Sequence, residues 1–405
     1  MATATATASA QSCAWPTQFS IQTSDVGAPD SAASYWLQPI VAGQDTRFTI
    51  LGKYPDARYT SLSVYTPGGT AFTSNGVSNS LTDYQIAPDF GSRNPWRQHA
   101  APGGRYTASI RSDASPRQIN TLPMPPGTTA QHPGYLLLRV YAPAGGDFSR
   151  VPLPTVVVRQ GRTTQTLFPC RAHNAPEPAP AVSAAQSASP TGTPAPAPPA
   201  FEFYKPSEAL IGSTFPNADT GYAIAVVTRP AAASDVVVVT AKAPTAAPGD
   251  HPSPWPAPGE DMRYWSMCMI EGSAALPTVI NTLPNGQADY GCRSDENTLT
   301  DSAGDYTYVI GAESQRTAID GVPGATFLPF ATNQTSPYYI LGLRDMLVAP
   351  GFTQSAQSIV QASDPAAAAA AMGPYYPRMA VCSLTVLTTQ GVQACMSSGA
   401  SAANA

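Results

Sequence analysis

The sequence predicts an all-β chain of two tandem, related β-sandwich or jelly-roll-like modules, joined by an Ala/Pro/Ser linker, with a short helix near the C-terminus. Three observations predict it. Charged residues make up 12% of the 405 positions and prolines number 43, a composition that disfavours long helices. A series of short motifs occurs twice in the same order, and an Ala/Pro-rich stretch separates the two copies. The chain is also longer than the roughly 250–300 residues at which a single core stops growing, so two domains are expected.

The expected boundaries are residues 13–173 for the first module, 174–200 for the linker and 201–405 for the second module. Residues 1–12, with their alternating Ala and Thr and the Ala8-Ser9-Ala10 step, read as the trailing end of a signal peptide. In the repeat, Pro29 and Tyr35 match Pro216 and Tyr222, and residues 46–52 match 235–242. Arg58-Tyr59-Thr60-Ser61 then matches Arg263-Tyr264-Trp265-Ser266. Gly104 to Thr107 matches Gly304 to Thr307, and Tyr135 to Arg139 matches Tyr339 to Arg344. The segment INTLP also occurs twice, at 119–123 and 280–284, but out of order, and is excluded from the repeat.

Most of these segments are short, rich in Val, Ile, Tyr and Thr, and bounded by Pro, Gly, Asp and Asn, which is the signature of strands. In residues 59–65 Leu62 and Val64 alternate with Ser61 and Ser63, as expected of a sheet with one core face. Residues 1–173 contain no Glu, so the first module is expected to be nearly helix-free. The expected helix follows Asp364, a cap, with Pro365 at its first position, Ala366 to Ala371 along it and Gly373 at its end.

Six cysteines without metal-site spacing imply disulfides, and their positions favour Cys13 with Cys170, Cys268 with Cys292 and Cys382 with Cys395. Such bonds imply an oxidising compartment and hence a secreted, extracellular protein. A net charge of −5 without a basic cluster argues against a nucleic-acid partner. No apolar run is long enough for membrane insertion.

The segments YPDARYTSLSVY (54–65), LTDYQIAPDFGSRNPWR (81–97), FPNADTGY (215–222), MRYWSMC (262–268) and MGPYYPR (372–378) resemble those of uncharacterised secreted proteins of high-GC Gram-positive bacteria. The resemblance implies secretion and a β-rich architecture, and carries no activity.

Candidate sites are few. Arg58 and Arg263 precede Tyr59 and Tyr264 on matching strands, and with Trp96 they form the candidate ligand-binding set, since a guanidinium fork suits carboxylate or phosphate. Asp83, Asp89 and Asn94, with Asp295, Asp301 and Asp305, offer hard oxygen ligands at Ca2+-like density. Asp83 and Asp89 are also the candidate pair for glycoside cleavage. Tyr35, Trp36, Trp255, Tyr375 and Tyr376 are candidates for a sugar-stacking platform. His99, His132, His173 and His251 lie outside the repeated motifs, which argues against a His-dependent hydrolase. The leading expectation is a non-enzymatic extracellular binding or adhesion module for a glycan or cell-envelope ligand. A structural envelope or filament component and a carboxylate-dependent glycan-active enzyme are the alternatives.

Overall fold

The structure, a computed structural model, describes residues 12–43, 45–170, 201–212, 214–273, 275–333 and 336–399. The expected linker lies outside them, as do residues 1–11. The strands of the first module are β1 (Thr17–Phe19), β2 (Ala33–Ile40), β3 (Thr46–Lys53), β4 (Ala57–Tyr65), β5 (Thr73–Ser74), β6 (Val77–Ser78), β7 (Ser80–Thr82), β8 (Arg105–Arg111), β9 (Thr121–Pro123), β10 (Gly134–Pro143), β11 (Thr155–Gln160) and β12 (Thr163–Leu167). Those of the second are β13 (Thr220–Val227), β14 (Asp235–Lys242), β15 (Met262–Glu271), β16 (Ile280–Thr282), β17 (Ala288–Tyr290), β18 (Cys292–Ser294), β19 (Asp305–Gly311), β20 (Ala325–Pro329), β21 (Tyr339–Val348) and β22 (Arg378–Ser383). The helices α1 (Glu208–Ile211), α2 (Arg316–Asp320), α3 (Pro365–Met372), α4 (Leu384–Gln390) and α5 (Val392–Gly399) all belong to the second module.

Each module is a two-sheet sandwich. The first has sheets in the order β1-β2-β10-β4-β7 and β12-β11-β3-β8-β9, the second β13-β21-β15-β18 and β20-β19-β14-β22. Without β1 and β12 the two topologies coincide, down to the parallel pairs β8 with β9 and β19 with β20. The register coincides as well. Arg139 lies opposite Tyr35 and Ser61, and Arg344 lies opposite Tyr222 and Ser266. Tyr54 N donates to Gly104 O at 2.8 Å, and Ala243 N to Gly304 O at 2.8 Å. One detail of the expected repeat is corrected. With the arginines equivalent, Tyr135 opposite Tyr65 matches Ile340 opposite Ile270, so Tyr339 stands one residue earlier. The two INTLP segments occupy unrelated places, one reaching β9 beside β8 and the other β16 in a hairpin with β17.

The core of the first module packs Trp36, Leu62, Val64, Leu136 and Leu138 against Phe48, Ile50, Ala108 and Ile110. The core of the second packs Ala223, Ala225, Met267, Met269 and Leu341 against Val237, Val239, Tyr308 and Ile310. The expectation of a single core face on β4 is corrected: all nine of its residues are buried, Ser61 and Ser63 included. The serine face is covered by the second module, where Tyr59, Tyr65, Leu137 and Tyr141 meet Tyr264, Met346 and Leu347.

Strand β14 has an uninterrupted run, Val236 to Val239, because both its faces are covered. Val237 and Val239 enter the core, while Val236 and Val238 meet Ile319, Leu387 and Cys395 under α2, α4 and α5. Helix α3 begins as expected, with the Asp364 carboxylate accepting from Ala367 N at 3.0 Å and Pro365 at the first position. All three disulfides pair as the cysteine positions imply.

Candidate functional site

The inner sheets meet face to face, and their contacts recur with the modules exchanged, as at a twofold interface where the same patch is used by both sides. Arg58 on β4 grips Asp295 with Nη2 to Oδ2 at 2.7 Å and Nη1 to Oδ1 at 3.1 Å. Reciprocally, Arg263 on β15 places Nη1 2.6 Å from both oxygens of Asp83. Each aspartate opens the turn that follows the edge strand, β18 or β7, of the other module. Tyr59 OH donates to Asp219 at 2.8 Å, and Tyr264 OH to Asp30 at 2.9 Å. Arg139 Nη2 donates to Phe215 O and Arg344 Nη2 to Ala28 O. Both carbonyl residues precede a proline and have positive φ, 55° and 57°.

Beside these arginines the modules leave a cavity, with about 100 Å³ open to the centre of a water-sized sphere. One water needs roughly 10–15 Å³ on that measure, so the space suits a molecule of several heavy atoms. Leu210, Phe215, Ile224, Ile270, Leu276 and Ile340 supply most of its apolar wall, and Arg139 and Arg344 its charged groups. An open groove of about 410 Å³ shares the walls Pro206, Ile211, Pro216 and Tyr222 with it.

The structure gives the sequence-derived candidates other work. Arg58, Tyr59, Arg263 and Tyr264 are buried in the module interface, and each bonds to the opposite module, Arg263 through Nη1 alone, its Nε and Nη2 having no hydrogen-bond partner among the described residues. Trp96 is fully buried, its indole N–H donating to Arg58 O at 3.1 Å. The ligand-binding assignment of these five residues is therefore corrected: they brace the modules.

The Ca2+ assignment is corrected too. Asp83 also accepts from Thr60 N at 2.9 Å and Tyr84 N at 2.6 Å, while Asn94 spends its oxygen on Trp96 N and its amide on Asp83 O and Ile86 O. Asp89 accepts from Thr107 Oγ1 at 3.1 Å, while the carboxylate of Asp83 is fully engaged by Arg263 and two backbone N–H groups. In the second loop Asp295 is held by Arg58, and Asp301 folds back onto Ala303 N and Asp305 N. Among the described residues the one group of three candidate metal ligands is Asp30 with Cys268 and Cys292, whose sulfurs are joined in a disulfide.

Tyr35, Trp36 and Trp255 are buried, and Tyr375 and Tyr376 half-buried, so these aromatics form no exposed platform. His99 and His132 are exposed, His251 lies between Asp56 and Asp250, and His173 is outside the described residues. The cavity arginines were missed as a site, although they are the residues retained at the end of the matched segments 135–139 and 339–344.

A buried carboxylate in the second module gives the fold a pH dependence. Among the described residues the Asp345 carboxylate accepts one hydrogen bond, from Ala356 N at 2.7 Å, and burial pushes its pKa up from 3.8 to about 6. The folded pKa is raised, so the contribution is full below about pH 4 and is lost as the pH rises through about 6. Full burial makes the loss up to about 3 kcal/mol. Urea melts at about pH 5 and about pH 8 are expected to show a stability drop that is smaller in Asp345→Asn; an equal drop in both chains refutes the assignment.

The fold and site define a two-module all-β protein with a cavity on its pseudo-twofold interface. No protein-family model matches the chain, and no curated protein sequence matches it. Among solved structures, an uncharacterised protein from Burkholderia cenocepacia aligns with a TM-score of 0.52 at 15% identity, over 92% of this chain and 83% of that one. A protein from Vibrio parahaemolyticus aligns with a TM-score of 0.43 at 11% identity, over 88% of this chain and 90% of that one. The first likeness is one of fold alone.

Proposed function

We propose that the chain is an exported, non-enzymatic binding protein that receives a small apolar ligand between its modules. The observation that carries this reading is the cavity itself: apolar walls drawn from both modules with few, well-placed polar groups are the usual make-up of a small-molecule site. Export is supported by three disulfides, which persist in oxidising compartments. A glycan platform and a carboxylate-dependent enzyme have less to support them, because Tyr35, Trp36 and Trp255 are buried and Asp83 is ion-paired with Arg263.

The test is binding of 1-octanol to the full chain, followed by NMR. Saturable binding is expected, and Leu210→Trp, a half-buried wall position, should weaken it by about tenfold or more without changing the melt. Absence of saturable binding, or a Leu210→Trp chain that binds equally well, defeats the proposal.

A further inference from the structure

The cavity departs from its pseudo-twofold symmetry in charge. Arg344 has a counter-ion, with Nη1 3.4 Å from Asp30 Oδ2 and 2.9 Å from Cys268 Sγ. Arg139, its equivalent, donates only to neutral oxygens: Ser63 Oγ at 3.3 Å, Tyr65 OH at 2.8 Å and Phe215 O. The reason lies in the repeat. Pro29-Asp30 corresponds to Pro216-Asn217, so the carboxylate that would face Arg139 is replaced by an amide, and that amide meets Tyr59 OH at 3.2 Å. The nearby acid in sequence, Asp219, is taken by Tyr59 OH at 2.8 Å and Thr82 Oγ1 at 2.6 Å.

Arg139 is 2% exposed, and among the described residues no carboxylate lies within ion-pair distance of it. A buried guanidinium without a counter-ion is costly, and the faces of Tyr35 at 6.0 Å and Tyr65 at 5.6 Å offset only part of that cost. Two of its donors, Nε–H and one Nη1–H, make no hydrogen bond to the described residues. The other buried interface arginines, Arg58, Arg263 and Arg344, each have an aspartate. A buried cation with spare donors on an apolar cavity wall suits an anionic head group on an apolar body.

We propose that the cavity takes a small amphipathic carboxylic acid, its carboxylate paired with Arg139 and its apolar body against Ile224, Ile270 and Ile340. This rests on the binding function proposed above and specifies its ligand class. A carboxylate accepts from the planar guanidinium fork more strongly than a neutral oxygen does, and a water-poor site enlarges the difference.

The experiment compares octanoate with 1-octanol on the full chain by calorimetry near neutral pH. Octanoate is expected to bind about tenfold or more tightly than the alcohol, and Arg139→Gln to erase that preference. Arg139 also braces the interface, so a second variant, Asn217→Asp with Asp219→Asn, keeps the net charge and moves the carboxylate to the place that Asp30 holds beside Arg344. It should lose the preference for octanoate while still binding octanol. Equal affinities in the wild type, or a preference that survives in the double variant, overturn the carboxylate assignment and leave the cavity reading standing. If neither probe binds, both fall.

Discussion

Replacing Arg263 by methionine is expected to cost about 3–5 kcal/mol, the range for stripping one partner from a buried ion pair. Arg263 and Asp83 are both fully buried, and Asp83 holds only two backbone N–H donors besides the guanidinium. Burial already pushes the Asp83 carboxyl up to about 6 against the pull of Arg263. Without that pull its pKa rises further, so the variant folds with Asp83 protonated and loses stability as the pH climbs. The pseudo-equivalent change, Arg58→Met, should cost less. Asp295 is 10% exposed in its side chain and keeps contact with solvent at the rim. Adding Asp83→Asn to Arg263→Met should recover much of the loss, because no uncompensated charge then remains. Urea denaturation of the chains gives the answer. An Arg263→Met cost equal to or below that of Arg58→Met would show that burial does not control these pairs.

The two pairs show why the modules are joined as they are. Each arginine sits at the start of a central strand of one module and each aspartate at the turn after the edge strand of the other. One kind of contact is therefore made twice about the pseudo-axis. Duplication explains this economy, since a surface complementary to its own copy needs only one solution. Afterwards the copies diverged where symmetry is no longer required. Asn217 stands where the first module has Asp30, and the arginines beside the cavity are not equivalent in charge. The helices covering β14 are a second divergence, confined to the face away from the interface.

Much of this was legible in the sequence. The ordered repeat gave the strand equivalences, and Leu62 and Val64 alternating with Ser61 and Ser63 gave the correct inward face. What the other face touches was not legible. A serine face reads as solvated, and only the position of the second module shows that Ser61 and Ser63 are covered. The same gap explains the misplaced ligand set: Arg58-Tyr59 and Arg263-Tyr264 are repeated because they meet each other's module. Helices α4 and α5 are not legible because LTVLTTQ is rich in β-branched residues, and packing of Leu387 and Cys395 on β14 overrides that local preference. The uninterrupted valines of β14 were the available signal for a second cover.

The Cys13–Cys170 bond is expected to contribute most of the three disulfides. It closes a separation of 157 residues, against 24 for Cys268–Cys292 and 13 for Cys382–Cys395. On the chain-entropy relation these lengths correspond to about 5, 3.5 and 3 kcal/mol, with the first an upper figure. In the folded chain the bond ties the N-terminal segment to the end of β12, where Ala14 N donates to Phe168 O at 2.8 Å and Cys170 N to Ala14 O at 2.9 Å. Those hydrogen bonds and the Trp15 indole on Pro154 O remain after the cysteines are removed, so the native contacts change little. The loss comes from the freer unfolded chain. Cys13→Ala with Cys170→Ala should therefore lower stability more than Cys382→Ala with Cys395→Ala, even though Cys395 is fully buried and its removal also leaves a small cavity. Urea melts of the two double variants under oxidising conditions decide the order. A smaller loss for the long loop would mean that the unfolded first module already holds its ends together.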